Sequence, residues 1–242
     1  MSALPEKLNN VAFNVEAIDA CADVSANDAV ISNLHSHASR RSFVKRAMDI
    51  LISGTAIFFA FPIMFVIAIA IRMQDGGKVL FEQERVGYNG KSFKCLKFRS
   101  MVVDAERKLK DVLDNDPVAR EEWETMRKLS VDPRITWVGD FLRKSSLDEL
   151  PQLFNVIRGD MSLVGPRPIV NDEIALYADE YDSYSSMRPG ISGLWQISGR
   201  SDVDFESRVQ FDKRYNEDWS ILFDLEIMLK TIPALLKRTG AR

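Results

Sequence analysis

The chain has 242 residues, 46% of them hydrophobic, enough for one large domain or a domain with an appendage. A formal net charge of −3 argues against a general nucleic-acid binder. The two cysteines, Cys21 and Cys95, form no CxxC pair, so neither a zinc site nor a disulfide framework is suggested.

Residues 1–39 are polar, rich in Ala, Asn, Asp and Ser, and lack sustained periodicity. No basic start followed by an apolar run occurs, so this is not a secretory signal. The composition predicts a disordered polar tail with a short helix around 11–22. His35 and His37 are the only histidines. A His-x-His in such a tail reads as solvated, and the lack of another histidine argues against a His-based triad in the folded part.

The basic cluster Arg40, Arg41, Lys45 and Arg46 leads into Ile50–Ile71, roughly 22 residues without a charge, long enough to cross a bilayer. A spanning helix is the default. Pro62 in the middle argues for a break. Both flanks are basic, with Arg72, Lys78 and Arg85 following, and positive flanks prefer the cytosolic side. The expectation is a re-entrant hairpin over residues 40–74 that breaks at Phe61-Pro62. A buried core helix is disfavoured by so long an uncharged run.

Asp75-Gly76-Gly77 is a turn signal, and strands are predicted at 79–83 and 92–98 around Gly87-Tyr88-Asn89-Gly90. Lys97 and Arg99 are two apart and on a strand would share a face, a candidate for phosphate binding or a solvated charged face. Residues 104–129 predict two helices interrupted at Asn115-Asp116-Pro117. A turn over 131–136 then leads into an amphipathic helix from Trp137 to Lys144, which carries Arg143.

The stretch from Ser145 to Pro168 holds the densest chemistry. Asp148 and Glu149 adjoin near a helix start that Pro151 pins within a few residues. Ser146 with Glu149 fits a capping box, and Asp148 alone fits an N-cap. Either places the acids at the positive end of a helix, favouring an ionised Asp148 suited to nucleophilic attack or metal ligation. Capping alone would explain the same residues. Further on, Pro166 and Pro168 restrict the backbone around Arg167, presenting its guanidinium for a phosphate or a planar base. A helix is predicted over 171–184, a short strand at 194–197 and an amphipathic helix over 205–219. Residues 221–236 are apolar but carry Asp224, Glu226, Lys230 and Pro233, and read as an interfacial or a core helix.

These ordered stretches resemble the bacterial sugar transferases, membrane-bound phosphoglycosyl transferases. The resemblance runs from about Phe43 to Arg238. It rests on the Pro-broken apolar run and on KFRSM at Lys97–Met101. DPRIT at Asp132–Thr136, FLRKSSLDELPQLFNVIRGDMSLVGPRP at Phe141–Pro168 and RPGISGLWQISGR at Arg188–Arg200 complete it. Phe61 precedes Pro62 where the family often has a small polar residue, and Trp137 and Asp140 stand where it often has basic ones. The resemblance implies an α-rich α/β monotopic membrane protein: a re-entrant helix hairpin, a small sheet and interfacial amphipathic helices. Residues 75–242 would form a cytosolic catalytic domain on the bacterial inner membrane.

The implied reaction moves a sugar phosphate from a UDP-sugar to polyprenyl (undecaprenyl) phosphate and releases UMP, the first step of exopolysaccharide, O-antigen or capsule-type synthesis. Asp148 would be the nucleophile of a ping-pong sequence through an aspartyl phospho-sugar intermediate. Glu149, with Asp148 beside it, would hold or orient Mg2+. Arg143 would bind phosphate, and Lys97, Arg99 and the Pro166-Arg167-Pro168 turn would contact diphosphate or uridine. Two rivals are a glycoside hydrolase, which fits adjacent carboxylates poorly, and a non-catalytic membrane-anchored scaffold. The residues leave the sugar undetermined and a homo-oligomer open.

Overall fold

The computed structural model describes residues 43–126, 129–198 and 204–236. The predicted tail and its histidines lie outside them. The chain divides into two compact units, 1–48 and 49–242; of the first, only the opening turns of helix α1, from Phe43, are described.

Helix α1, Phe43–Asp75, is long and apolar enough to cross a membrane. The sequence predicts a break at Pro62, but the helical assignment continues through it. Proline removes one N–H, the one that would reach the Phe58 carbonyl, while its neighbours keep helical geometry. From Asp49 onward, one face of α1 is buried. Met64, Ile67 and Ile71 pack with Phe98, Val138 and Leu142, while Phe58, Phe59, Phe61, Phe65 and Val66 are exposed.

Strands β1 (Leu80–Val86) and β2 (Ser92–Phe98) form the predicted antiparallel hairpin. Its turn passes through Asn89 and Gly90, both with left-handed backbone. Helices α2 (Ala105–Asn115) and α3 (Pro117–Met126) are separated where predicted. Asp116 Oδ1 accepts from the Val118 and Ala119 amides, and Pro117 takes the first helical position, which needs no N–H donor. Helix α4 (Trp137–Ser145) starts on Thr136, whose hydroxyl accepts from Gly139 N at 2.9 Å.

Neither cap predicted for the acids forms. Ser146 instead ends α4 in a left-handed conformation, φ 56°, and the chain turns at once into a 3₁₀ turn, Leu147–Glu149. Helix α5 begins three residues later, at Gln152–Arg158.

Strand β3 (Ser162–Val164) pairs in parallel with β4 (Gly190–Ser192). The predicted helix over 171–184 is a chain of short helical pieces that include α6 (Ile174–Tyr177) and α7 (Tyr181–Ser185); it breaks at Ala178, φ 45°. The strand predicted at 194–197 is a short helix, α8 (Leu194–Ile197); extended pairing falls just before it, in β4. Helices α9 (Phe205–Asp218) and α10 (Ile221–Leu236) follow. Pro233 lies inside α10 without ending it. One face of α10 buries Ile227 against Leu194 and Tyr215, while Leu222, Leu229 and Ile232 stay exposed. It therefore joins both sequence readings: half core, half outward apolar surface.

Candidate active site

The β1–β2 register sets out the site. Phe81 pairs with Lys97, Gln83 with Cys95 and Arg85 with Phe93, so Lys97 and Arg85 lie near opposite ends of one hairpin face. At the Lys97 end stands the Leu147–Glu149 turn. Lys97 Nζ donates to Glu149 Oε1 at 2.7 Å, with both side chains partly exposed.

Arg143 comes to the same place from the last turn of α4. Its Nε donates to Ser100 Oγ at 2.9 Å. The approach is close because Gly139 lies on the Ser100 backbone, where an added Cβ would stand 1.9 Å from the carbonyl oxygen. Only glycine permits that contact, and it sets α4 beside the end of β2.

Burial pushes the Asp148 carboxyl up to about 6, and the charge of Glu149 adds to the rise. Lys97 and Arg143 oppose it. The turn therefore raises the Asp148 carboxyl, where the helix terminus read from the sequence would have lowered it. It is a desolvated acid flanked by one like charge and two opposite ones. At neutral pH it is still mostly ionised, and desolvation leaves its oxygen less shielded by water.

Asn155, fully buried on α5, holds the turn against β2. Its Oδ1 accepts from Leu96 N at 2.9 Å, and its Nδ2 donates to Lys94 O at 2.7 Å and to Asp160 Oδ2 at 3.1 Å. The amide acts as one residue of a third strand on the free edge of β2. Nothing in the local sequence marks it, since a lone Asn in a helix has many readings.

Arg99 does not join the acids. Its guanidinium forms a two-pronged ion pair with Asp75, Nη1 to Oδ2 at 2.8 Å and Nη2 to Oδ1. β2 ends at Phe98, so the alternation that would align Arg99 with Lys97 stops one residue short. The pair holds the Asp75 carboxyl below its ordinary value and ties the end of α1 to the strand carrying Lys97. An acid at a helix C-terminus opposes the helix dipole, and Arg99 offsets that cost.

Pro166, Arg167 and Pro168 sit at the Arg85 end. Gly190 N donates to Pro166 O at 2.8 Å, Arg85 Nη1 to Pro168 O at 3.1 Å and Val86 N to Ile169 O at 2.9 Å. Tyr184 OH accepts from Ile169 N and donates to Val86 O. The backbone is thus pinned on both sides of Arg167, whose guanidinium carbon lies 5.4 Å from the centre of the Trp195 ring.

Among the described residues no cluster of three or more His, Cys, Asp or Glu side chains could hold a metal by itself. Asp148 and Glu149 offer hard oxygen donors on one turn. Magnesium commonly takes one or two carboxylates and completes its shell with water and substrate phosphates, so the donor set fits that ion.

A family model described as bacterial sugar transferase matches residues 40–238. The undecaprenyl-phosphate galactose phosphotransferase of Salmonella typhimurium is 48% identical over 220 residues, 90% of this chain and 46% of that protein. The exopolysaccharide production protein ExoY of Sinorhizobium fredii is 49% identical over 197 residues, 81% of this chain and 87% of that protein. A UDP-glucose:undecaprenyl-phosphate glucose-1-phosphate transferase of Escherichia coli is 39% identical over 197 residues, 78% of this chain and 39% of that protein. The chain spans about half the length of the Salmonella relative and most of ExoY.

Proposed function

The chain belongs to the bacterial sugar transferase family, and on that premise we propose that it transfers a sugar phosphate from a UDP-sugar to undecaprenyl phosphate, releasing UMP at the start of a polysaccharide. The supporting observation is the meeting of Lys97 from β2 and Arg143 from α4 with Asp148 and Glu149 on a turn packed beside an apolar helix. In the first step an Asp148 oxygen bonds to the phosphorus that bears the sugar. The bond from that phosphorus to the bridging oxygen breaks, and UMP leaves with the electron pair. In the second step a phosphate oxygen of the carrier attacks the same phosphorus and the carboxylate is returned. Lys97 and Arg143 offset charge on the phosphoryl oxygens in both steps. Asp148 and Glu149 would hold Mg2+, which supplies charge neutralisation on the diphosphate.

We read α1 as re-entrant, with the catalytic residues on the cytosolic face of the inner membrane. Asp49, near its start, accepts a hydrogen bond from Leu163 N, while Ile71, near its end, packs on Phe98 and Leu142. Both positions thus contact the same body, whereas a spanning helix would carry one of them across the bilayer. Neither rival gains support. A glycosidase needs two carboxylates across a bond rather than adjacent on one turn. A scaffold has no use for an acid desolvated beside two cations.

The experiment is UMP release from a panel of UDP-sugars by detergent-solubilised protein with polyprenyl phosphate and magnesium. Asp148→Asn should abolish it, and the panel identifies the sugar. Normal turnover in that variant would remove Asp148 as the nucleophile.

A further inference from the structure

Lys97, Arg99 and Arg143 differ in what holds them. Lys97 and Arg99 each meet a carboxylate, Glu149 and Asp75. Arg143 does not. Its side chain is exposed, and among the described residues no carboxylate stands within ion-pair distance of it. Its hydrogen bond, from Nε to Ser100 Oγ at 2.9 Å, goes to a neutral acceptor. A carboxylate would hold a guanidinium and offset its charge. A hydroxyl holds it and leaves the charge whole. That charge reaches Asp148.

Ser100 is fixed more firmly than the arginine it meets. Its carbonyl accepts from the amide of Thr136, the N-cap residue of α4, at 3.1 Å. Gly139 packs on the same backbone. Gly139 and Arg143 are four residues apart and share a helix face, so the contact that seats α4 at Gly139 also brings Arg143 to Ser100. Next to it Val102 N donates to Arg134 O at 2.9 Å, and Met101 bridges to Ile135. Residues 100–102 and 134–136 are thus laced together. The hydroxyl stands on clamped backbone, whereas the guanidinium ends a long exposed side chain.

A guanidinium carries its donors in one rigid plane. With Nε committed to Ser100, a side-on grip through that nitrogen is used up. The two terminal nitrogens, which have no acceptor among the described residues, keep the end-on grip by two parallel bonds that suits a phosphoryl group. An exposed arginine without such a tether must give up its rotamer freedom when the substrate binds. We infer that Ser100 is a positioning residue for the transfer: its hydroxyl holds the Arg143 guanidinium, undiminished in charge, with its terminal nitrogens towards a phosphoryl group at Asp148. This rests on the sugar-phosphate transfer proposed above.

The test is a double-mutant cycle on the solubilised full chain with two readouts: UMP release from the UDP-sugar, and binding of inorganic pyrophosphate by calorimetry. Ser100→Ala should lower kcat/KM and weaken pyrophosphate binding by about 3- to 10-fold each, the scale for ordering one long side chain on binding. In an Arg143→Met background the same change should have an effect below about 1.5-fold, because the hydroxyl has no guanidinium left to hold. The melting point of Ser100→Ala should stay within about 2 °C of wild type. An equal loss in both backgrounds overturns the proposal, since the hydroxyl would then act on the substrate or the fold without the arginine. Wild-type values in Ser100→Ala overturn it too, as does a large fall in its melting point. Failure of the transferase reading looks different: pyrophosphate binding would follow the cycle as expected, and the wild-type protein would release no UMP from any UDP-sugar.

Discussion

At the Lys97 end of the hairpin face the cations meet a carboxylate and a hydroxyl. At the Arg85 end guanidiniums lie on carbonyl oxygens and an indole. The Lys97–Glu149 pair is about one-third exposed on each side, and such pairs contribute only about 0–1 kcal/mol. It can open for phosphate or metal at small cost. The turn around Arg167 is fixed by backbone hydrogen bonds before any ligand arrives. Chemistry needs charges that can change partners, whereas recognition gains from parts already in place.

That contrast can be broken most directly at Lys97. Lys97→Met should cut UMP release by about 100- to 1,000-fold, the scale for losing one preorganised electrostatic contact. Its melting point should barely move, because the ion pair is weak. A large fall in stability with modest loss of rate would reverse the assignment and make Lys97 structural. The next effect is on pH. As the proposed nucleophile, Asp148 has to be ionised, and its carboxyl is pushed up to about 6. UMP release should therefore decline as pH falls through that value, about tenfold per unit below it. An acid limb near 4 instead would restore the helix-terminus picture drawn from sequence.

Asp148, Glu149, Arg143 and Lys97 were legible because each is a charged residue inside a distinctive run. The hairpin was legible from turn residues between alternating strands. What the sequence hid depends on partners far along the chain. Arg99 looked equivalent to Lys97 until β2 ended between them and Asp75 claimed it. The caps failed because Ser146 was needed to stop α4. The residues 194–197 looked like strand by composition, but the parallel partner β3 engages Gly190–Ser192 instead. Arg208 and Trp195 meet through tertiary packing, and no spacing rule connects them.

Asn155 separates the two ends in energetic terms. Its amide satisfies a backbone N–H and a carbonyl on the edge of β2. Asn155→Ala would leave the buried Leu96 N–H and the part-buried Lys94 carbonyl short of partners, a loss of about 2–4 kcal/mol with the cavity included. Chemical denaturation measures it. A change below about 1 kcal/mol would mean that the hairpin holds Lys97 in place without help from α5.

The smallest expected effect lies beneath Arg167. Asp212 faces Tyr177 on α6, Arg208 on its own helix and Arg167 from the turn, with Tyr184 close enough to feel its charge. Its folded-state carboxyl is raised from 3.8 to about 7. The protonated form is therefore favoured by folding: that contribution is complete below about pH 4 and lost as pH rises through 7. Asp212→Asn stays neutral and keeps an acceptor for Tyr177. The variant should match wild type near pH 4 and become more stable by about 2–4 kcal/mol above pH 7. Melting curves across that range read the difference directly. If the variant is instead less stable at pH 8, the two arginines do offset the buried charge, and this end of the face holds its cations by ion pairing, as the Lys97 end does.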